Sequence, residues 1–333
     1  MNNKINNTHP TKKEILKRKE LIKKKRILGY IKLILLGIFL ILFILLIILG
    51  IKTLFKDEKN DNDKNNSNVQ EELKEPITEV DKYTQEEKEM LEKLDYINEK
   101  IDYFKWENID RYVAYKEKNQ ELSNEKIVLY VNIGIDNPFY TNIQESPNQK
   151  NNTILLNKYY AINNSFTPQT LKAIDAKYRT KYLEMTEDAA IAFNNMAKDA
   201  ANEGYYIYAI STYRTYDYQD QLYNRYVKND GQENADTYSA RPGHSEHHTG
   251  LAVDIKNKTK VYTQFGETEE FKWMKENAHK YGYILRYTKE NEFITGYNNE
   301  PWHYRYVGIE IATQMKNENI SSYEEYYFMY LDK

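Results

Sequence analysis

Leu33 to Ile51 reads LILLGIFLILFILLIILGI, without a charged residue. An apolar run of about 20 residues spans a bilayer as a helix, because every backbone polar group is then satisfied within the segment. A cleaved signal peptide fits less well. Its apolar region is about 7 to 15 residues long and ends in small residues, whereas Lys52, Thr53, Leu54 and Phe55 follow here. The pattern predicts an uncleaved transmembrane signal anchor over 33–51.

Polar residues then dominate from Lys56 to about Asp81, including the run NDNDKNNSN. Such a stretch buries too little apolar surface to offset its ordering entropy, so 52–83 is expected to be a flexible stalk. Helical spacing returns at Met90, Leu91, Leu94, Ile97, Ile101 and Phe104, behind the capping-box sequence Thr84-Gln-Glu-Glu87. Ile127 to Ile133 reads as a strand followed by a turn at Asp136-Asn137-Pro138. Residues 84–152 are therefore expected to form a helical and strand accessory segment.

From Leu155 onward the period alternates. Helices are predicted over 188–204, ended by Gly204, and over 216–227 and 269–281, with strands over 205–211, 250–255 and 302–307. The expected fold class is α+β: a small antiparallel sheet flanked by helices in a domain spanning 153–333, preceded by an N-terminal transmembrane helix.

Charge and composition sharpen this layout. The net charge of -3 gives no sign of nucleic-acid binding. Lysine and arginine are nevertheless crowded into 1–32, and the positive-inside rule makes that arm cytoplasmic and everything after Lys52 extracytoplasmic. The 32 tyrosines offer aromatic surface, but exposed aromatics need no single explanation. With no cysteine in the chain, a metal site must be built from His, Asp or Glu.

Three of the six histidines fall in Arg241-Pro-Gly-His-Ser-Glu-His-His-Thr-Gly-Leu-Ala-Val-Asp254, and a fourth in Glu300-Pro-Trp-His303. In a strand over 250–255, Leu251, Val253 and Ile255 share the core face, while Gly250, Ala252 and Asp254 share the other. A turn at Thr249-Gly250 lets His247 return over the strand end toward Asp254. A catalytic zinc typically holds three protein groups and keeps a position for water, which makes His303 the natural third ligand. Pro301 predicts that Glu300 stands in a turn, where its carboxylate can take a proton from the reacting water and return it to a leaving amine. Arg214, between a predicted strand and a predicted helix, can stabilise developing negative charge or clamp a carboxylate.

These residues resemble a known family. Ser245-x-His247-x-x-Gly250-x-Ala252-x-Asp254, Glu300-x-x-His303 and Ser211-x-Tyr-Arg-x-x-x-x-Gln219 look like the motifs of the VanY-type D-alanyl-D-alanine carboxypeptidases, over roughly Leu155 to Gly308. The resemblance implies a zinc metallopeptidase that trims the C-terminal D-alanine from peptidoglycan stem peptides or their precursors. It implies zinc ligands at His247, Asp254 and His303, a general base at Glu300, a carbonyl-polarising Arg214, and Ser245 and Gln219 along the substrate site. His244 and His248 match no ligand position. An L,D-carboxypeptidase or endopeptidase of the same fold is the nearer alternative. A non-catalytic zinc-containing peptide-binding module is opposed by the open fourth position and by Glu300.

Overall fold

The computed structural model describes residues 101–332, with Glu89 as one further helical residue. The first half runs α1 (Ile109–Lys118), α2 (Asn124–Ile133), β1 (Gln144–Glu145), β2 (Tyr160–Ala161), β3 (Leu171–Ala173), β4 (Glu184–Thr186), α3 (Glu187–Asn202) and β5 (Ile207–Ser211). The second runs α4 (Tyr216–Asp230), α5 (Gln232–Asp236), β6 (Ala252–Asn257), α6 (Glu269–Asn277), β7 (Tyr283–Leu285), α7 (Glu292–Thr295), β8 (His303–Tyr306), α8 (Ile309–Glu318) and α9 (Tyr323–Tyr326). The basic arm, the apolar run 33–51 and the stalk lie outside the described residues. No helix among the described residues is long and apolar enough to cross a membrane.

The central sheet has the order β5-β6-β8-β7, and every neighbouring pair is antiparallel. Leu251, Val253 and Ile255 alternate into a core shared with Phe193, Met196 and Ala197 of α3 and with Tyr304 of β8. Burying each large apolar side chain contributes about 1.5–3 kcal/mol, so this face fixes the pleat of β6. Asp254 pairs with His303 across β6 and β8. Both therefore point away from that core, to the face where the chemistry gathers.

The expected α+β class with a small antiparallel sheet is what the described residues form. The helix predicted over 188–204 is α3, with Glu187 and Asp188 in its first turn, where carboxylates complement the helix dipole. The helix predicted over 269–281 is α6 continued by a 3-10 turn at Ala278–Tyr281.

Two local expectations are corrected. Residues 127–133 are not a strand but most of α2, which Ser123 caps by accepting from the Lys126 N–H and which Gly134 ends at φ 104°. The continuous apolar run arises because α2 is buried on two sides: Ile127, Val128 and Val131 pack with Tyr112, while Leu129, Tyr130 and Ile133 pack with Tyr323 and Phe328. The helical spacing through Ile101 and Phe104 also fails there, since 101–105 form a turn and irregular backbone. Both side chains still pack against Tyr112 and Ile127.

Candidate metal centre

All seven predicted site residues, His247, Asp254, His303, Glu300, Arg214, Ser245 and Gln219, line one cavity of about 470 Å³. His247 stands on a 3-10 turn, Glu246–Thr249, that ends at Gly250 with φ 70°. That left-handed residue folds the turn back onto β6, because a residue with a Cβ rarely adopts it. Asp254 and His303 are cross-strand neighbours, and the ligand atoms of His247, Asp254 and His303 all lie within 4.8 Å of one another.

Hydrogen bonds fix which nitrogens face inward. His247 Nδ1 lies 2.7 Å from the Thr212 carbonyl, which can only accept, so Nδ1 carries the proton and Nε2 is left 3.3 Å from Asp254 Oδ2. His303 Nε2 faces Glu246 Oε2 at 3.4 Å, and its Nδ1 lies 3.1 Å from Asp254 Oδ1. That approach lacks hydrogen-bond direction, and Asp254 Oδ1 is a buried acceptor without a hydrogen-bond partner. An orphaned carboxylate oxygen facing one imidazole nitrogen, with a second imidazole nitrogen beside the same carboxylate's other oxygen, is a cation-shaped polar gap. Two nitrogens and one oxygen, without cysteine, suit zinc.

The electrostatics agree with that donor set. Burial, reinforced by Arg214, lowers the His247 pKa to about 4, so its ring is neutral at physiological pH. Burial opposes ionisation of Asp254, but the charged His303 beside it helps to hold the carboxyl well below its usual range. For His303, burial is overcome by Asp254 and Glu246, which raise it to about 9. A carboxylate on each side of one imidazole calls for positive charge on both; a cation on the Nδ1 side replaces one proton while Glu246 keeps the other.

Glu300 lies in the turn that Pro301 predicted, with the His303 N–H donating to its carbonyl at 3.0 Å. Its Oε2 is 3.6 Å from His303 Nδ1. Burial, opposed by His303 and reinforced by Asp254, pushes its carboxyl up to about 7. Such a value suits a group that must accept and release a proton near neutrality.

Arg214 donates to Asp254 Oδ2 at 2.9 Å, to Ser211 Oγ at 2.8 and 3.0 Å, and to Gln219 Oε1 at 3.3 Å. A register shift between Ala209 and Ser211 in β5 aligns Ser211 with Asp254. Gln219 is buried, and its amide also donates to the Ala240 carbonyl at 2.8 Å. It stands behind Arg214 as that side chain's support. His248 stays outside the ligand cluster, with Nδ1 2.9 Å from the Arg214 carbonyl and Nε2 accepting from Gly243 N–H at 3.1 Å. His244 Nδ1 is 2.7 Å from the Asn157 carbonyl.

Glu246 and Tyr287 are parts of the site that sequence reasoning passed over. Glu246 is fully buried, and its Oε1 accepts from Arg286 Nε and Arg305 Nη1, each at 2.8 Å. Arg286 continues to Glu324 of α9 at 2.6 and 2.9 Å. This buried ion network holds the carboxylate that orients His303. The Tyr287 ring lies 4.8 Å from the His303 ring. An acidic residue inside the histidine-rich stretch was the available signal for Glu246.

The family model described as VanY, D-alanyl-D-alanine carboxypeptidase, matches residues 182–309. A putative carboxypeptidase, YodJ of Bacillus subtilis (strain 168), is 38% identical over 189 residues, covering 54% of this chain and 68% of that protein. The chain belongs to the VanY family. A D-alanyl-D-alanine carboxypeptidase of Enterococcus faecalis is 39% identical over 138 residues, 38% of this chain and 50% of the relative. The chain thus spans about half the length of that enterococcal relative. A solved structure of the LdcB LD-carboxypeptidase is 36% identical, with a TM-score of 0.53 over 57% of this chain and 91% of that one. VanY membership places the protein among the hydrolases.

Proposed function

We propose that this chain is a zinc D,D-carboxypeptidase that removes the terminal D-alanine from peptidoglycan stem peptides. His247 Nε2, Asp254 and His303 Nδ1 would hold the metal. Bound there, zinc supplies Lewis acidity toward the scissile carbonyl and the attacking water. The observation that carries the reading is the juxtaposition of three convergent ligands with the perturbed carboxyl of Glu300 in one cavity.

Glu300 takes the proton of the attacking water as the carbon–oxygen bond forms. It returns that proton to the amine nitrogen as the peptide bond breaks, so D-alanine and a shortened stem leave. Arg214 offers its guanidinium to the negative charge on the carbonyl oxygen or to the substrate carboxylate. The run 33–51 would anchor the enzyme, with the arm 1–32 in the cytoplasm and the domain on the side where wall peptides are exposed.

Likeness to the LdcB LD-carboxypeptidase favours a second reading, removal of the terminal residue from a tetrapeptide stem. Zinc chemistry is common to both and does not set the chain position of the cut. Incubation of the full chain with a stem pentapeptide is expected to release D-alanine, to stop in a chelator and to resume on adding Zn²⁺. Release that continues unchanged in the chelator would reject the metal mechanism.

A further inference from the structure

Lys158 is 3% exposed and makes no ion pair among the described residues. Its Nζ donates to the backbone carbonyls of Asp236 and Gly296, each at 2.7 Å. It also faces the rings of Phe139, Tyr140 and Tyr297 at 4.9, 5.2 and 4.5 Å. Burying an ammonium is costly unless dipoles and ring faces compensate it, and here two carbonyls and three rings are arranged to do so. Burial lowers its pKa to about 8 against the pull of Asp236, so the charge persists at neutral pH.

The two carbonyls belong to two different segments, each of which runs on to residues that line the catalytic cavity. Gly296 opens the loop that ends in Glu300, and Tyr297 of that loop lines the cavity. The Asn298 N–H donates to the Thr237 carbonyl at 2.8 Å and the Glu300 N–H to the Tyr287 carbonyl at 3.0 Å. On the other side, Asp236 accepts from Arg241 at 3.0 and 2.7 Å. The Arg241 guanidinium lies 3.9 Å over Tyr140, whose hydroxyl meets that of Tyr297 at 3.1 Å. Ser239 and Ala240, between Asp236 and Arg241, line the same cavity.

We propose that Lys158 is a positioning residue for the hydrolysis: by bridging Gly296 and Asp236 it fixes the loop carrying Glu300 against the turn carrying Ser239 and Ala240. The proposal rests on Glu300 being the general base. Lys158 precedes the segment 182–309 that the family model matches.

The test compares full chains carrying Lys158→Met, Lys158→Arg and Glu300→Gln with the wild type for zinc content, kcat and KM on a stem pentapeptide. Lys158→Met keeps much of the side-chain volume but loses the charge and both donors. Its three metal ligands stand on other elements, so zinc is retained and KM stays near the wild-type value. Its kcat falls on the order of 10- to 100-fold, the effect of a misplacement of about 1 Å in a reacting group, and Lys158→Arg recovers much of that loss. Zinc-loaded Lys158→Met with wild-type kcat overturns the proposal, as does a folded Lys158→Arg no better than Lys158→Met. Should Lys158→Met not fold, Lys158→Gln replaces it, and wild-type kcat there is equally decisive. An active Glu300→Gln removes the base assignment itself, whereas an inactive one beside an unimpaired Lys158→Met removes only the role of Lys158.

Discussion

At the residue scale, Glu300 separates metal binding from turnover. Glu300→Ala is expected to keep its zinc and to lose on the order of 10²- to 10⁴-fold in kcat, the usual contribution of a positioned acid–base group; metal analysis and steady-state kinetics on the same sample check both. Burial raises the Glu300 carboxyl to about 7, and only its deprotonated form can accept a proton. Activity should therefore rise with pH along an acid limb at or below about pH 7, since a nearby cation favours the carboxylate. An acid limb that persists unchanged in the residual activity of Glu300→Ala would assign it to another group. Glu246 acts through His303. Glu246→Gln is expected to weaken zinc about 10- to 100-fold in a chelator competition, the typical effect of altering an outer partner of a ligand. His247 and Asp254 were legible in the sequence because their spacing across one turn and strand is short-range, and His303 through its own Glu300-x-x-His303 pattern. Glu246 was not, because its function depends on Arg286, Arg305 and Glu324 arriving from distant elements.

At the element scale, the site is a consequence of register. Pairing of Asp254 with His303 places both on the same face of adjacent strands, and a one-residue slip would send one of them into the core. Strand alternation was sufficient to predict those faces. It failed at α2, where burial on both sides erased the helical period that an amphipathic helix displays. The caps Ser123 and Gly134 carried the missing signal. Gly250 joins the His247 turn to β6 at φ 70°, and a Cβ there would meet Leu171 Cδ2 at 2.9 Å and the Thr186 N at 3.2 Å. Gly250→Ala should thus cost about 1–3 kcal/mol, read as a lower urea midpoint with an unchanged m-value. An unaltered midpoint would show that the turn tolerates the strain.

At the scale of the whole molecule, α2 shares its core with α8 and α9: Leu129, Tyr130 and Ile133 pack in one cluster with Met315, Tyr323, Tyr326 and Phe328. Sequence patterning located the segment before residue 153 but not this partnership, because contacts across nearly 200 residues leave no periodic trace. A shortened chain beginning at 153 is accordingly expected to lose cooperative thermal unfolding, followed by near-ultraviolet circular dichroism. A sharp transition near that of the full chain would mean that α1 and α2 are dispensable.

The activity is defined by which bond is cut and by what chemistry. Mass spectrometry of matched pentapeptide and tetrapeptide stems, incubated with the full chain in the presence and absence of chelator, addresses both. The predicted result is loss of one D-alanine from the pentapeptide, an intact tetrapeptide, and no product with chelator. A shortened tetrapeptide beside an intact pentapeptide, or cleavage indifferent to chelation, would contradict it.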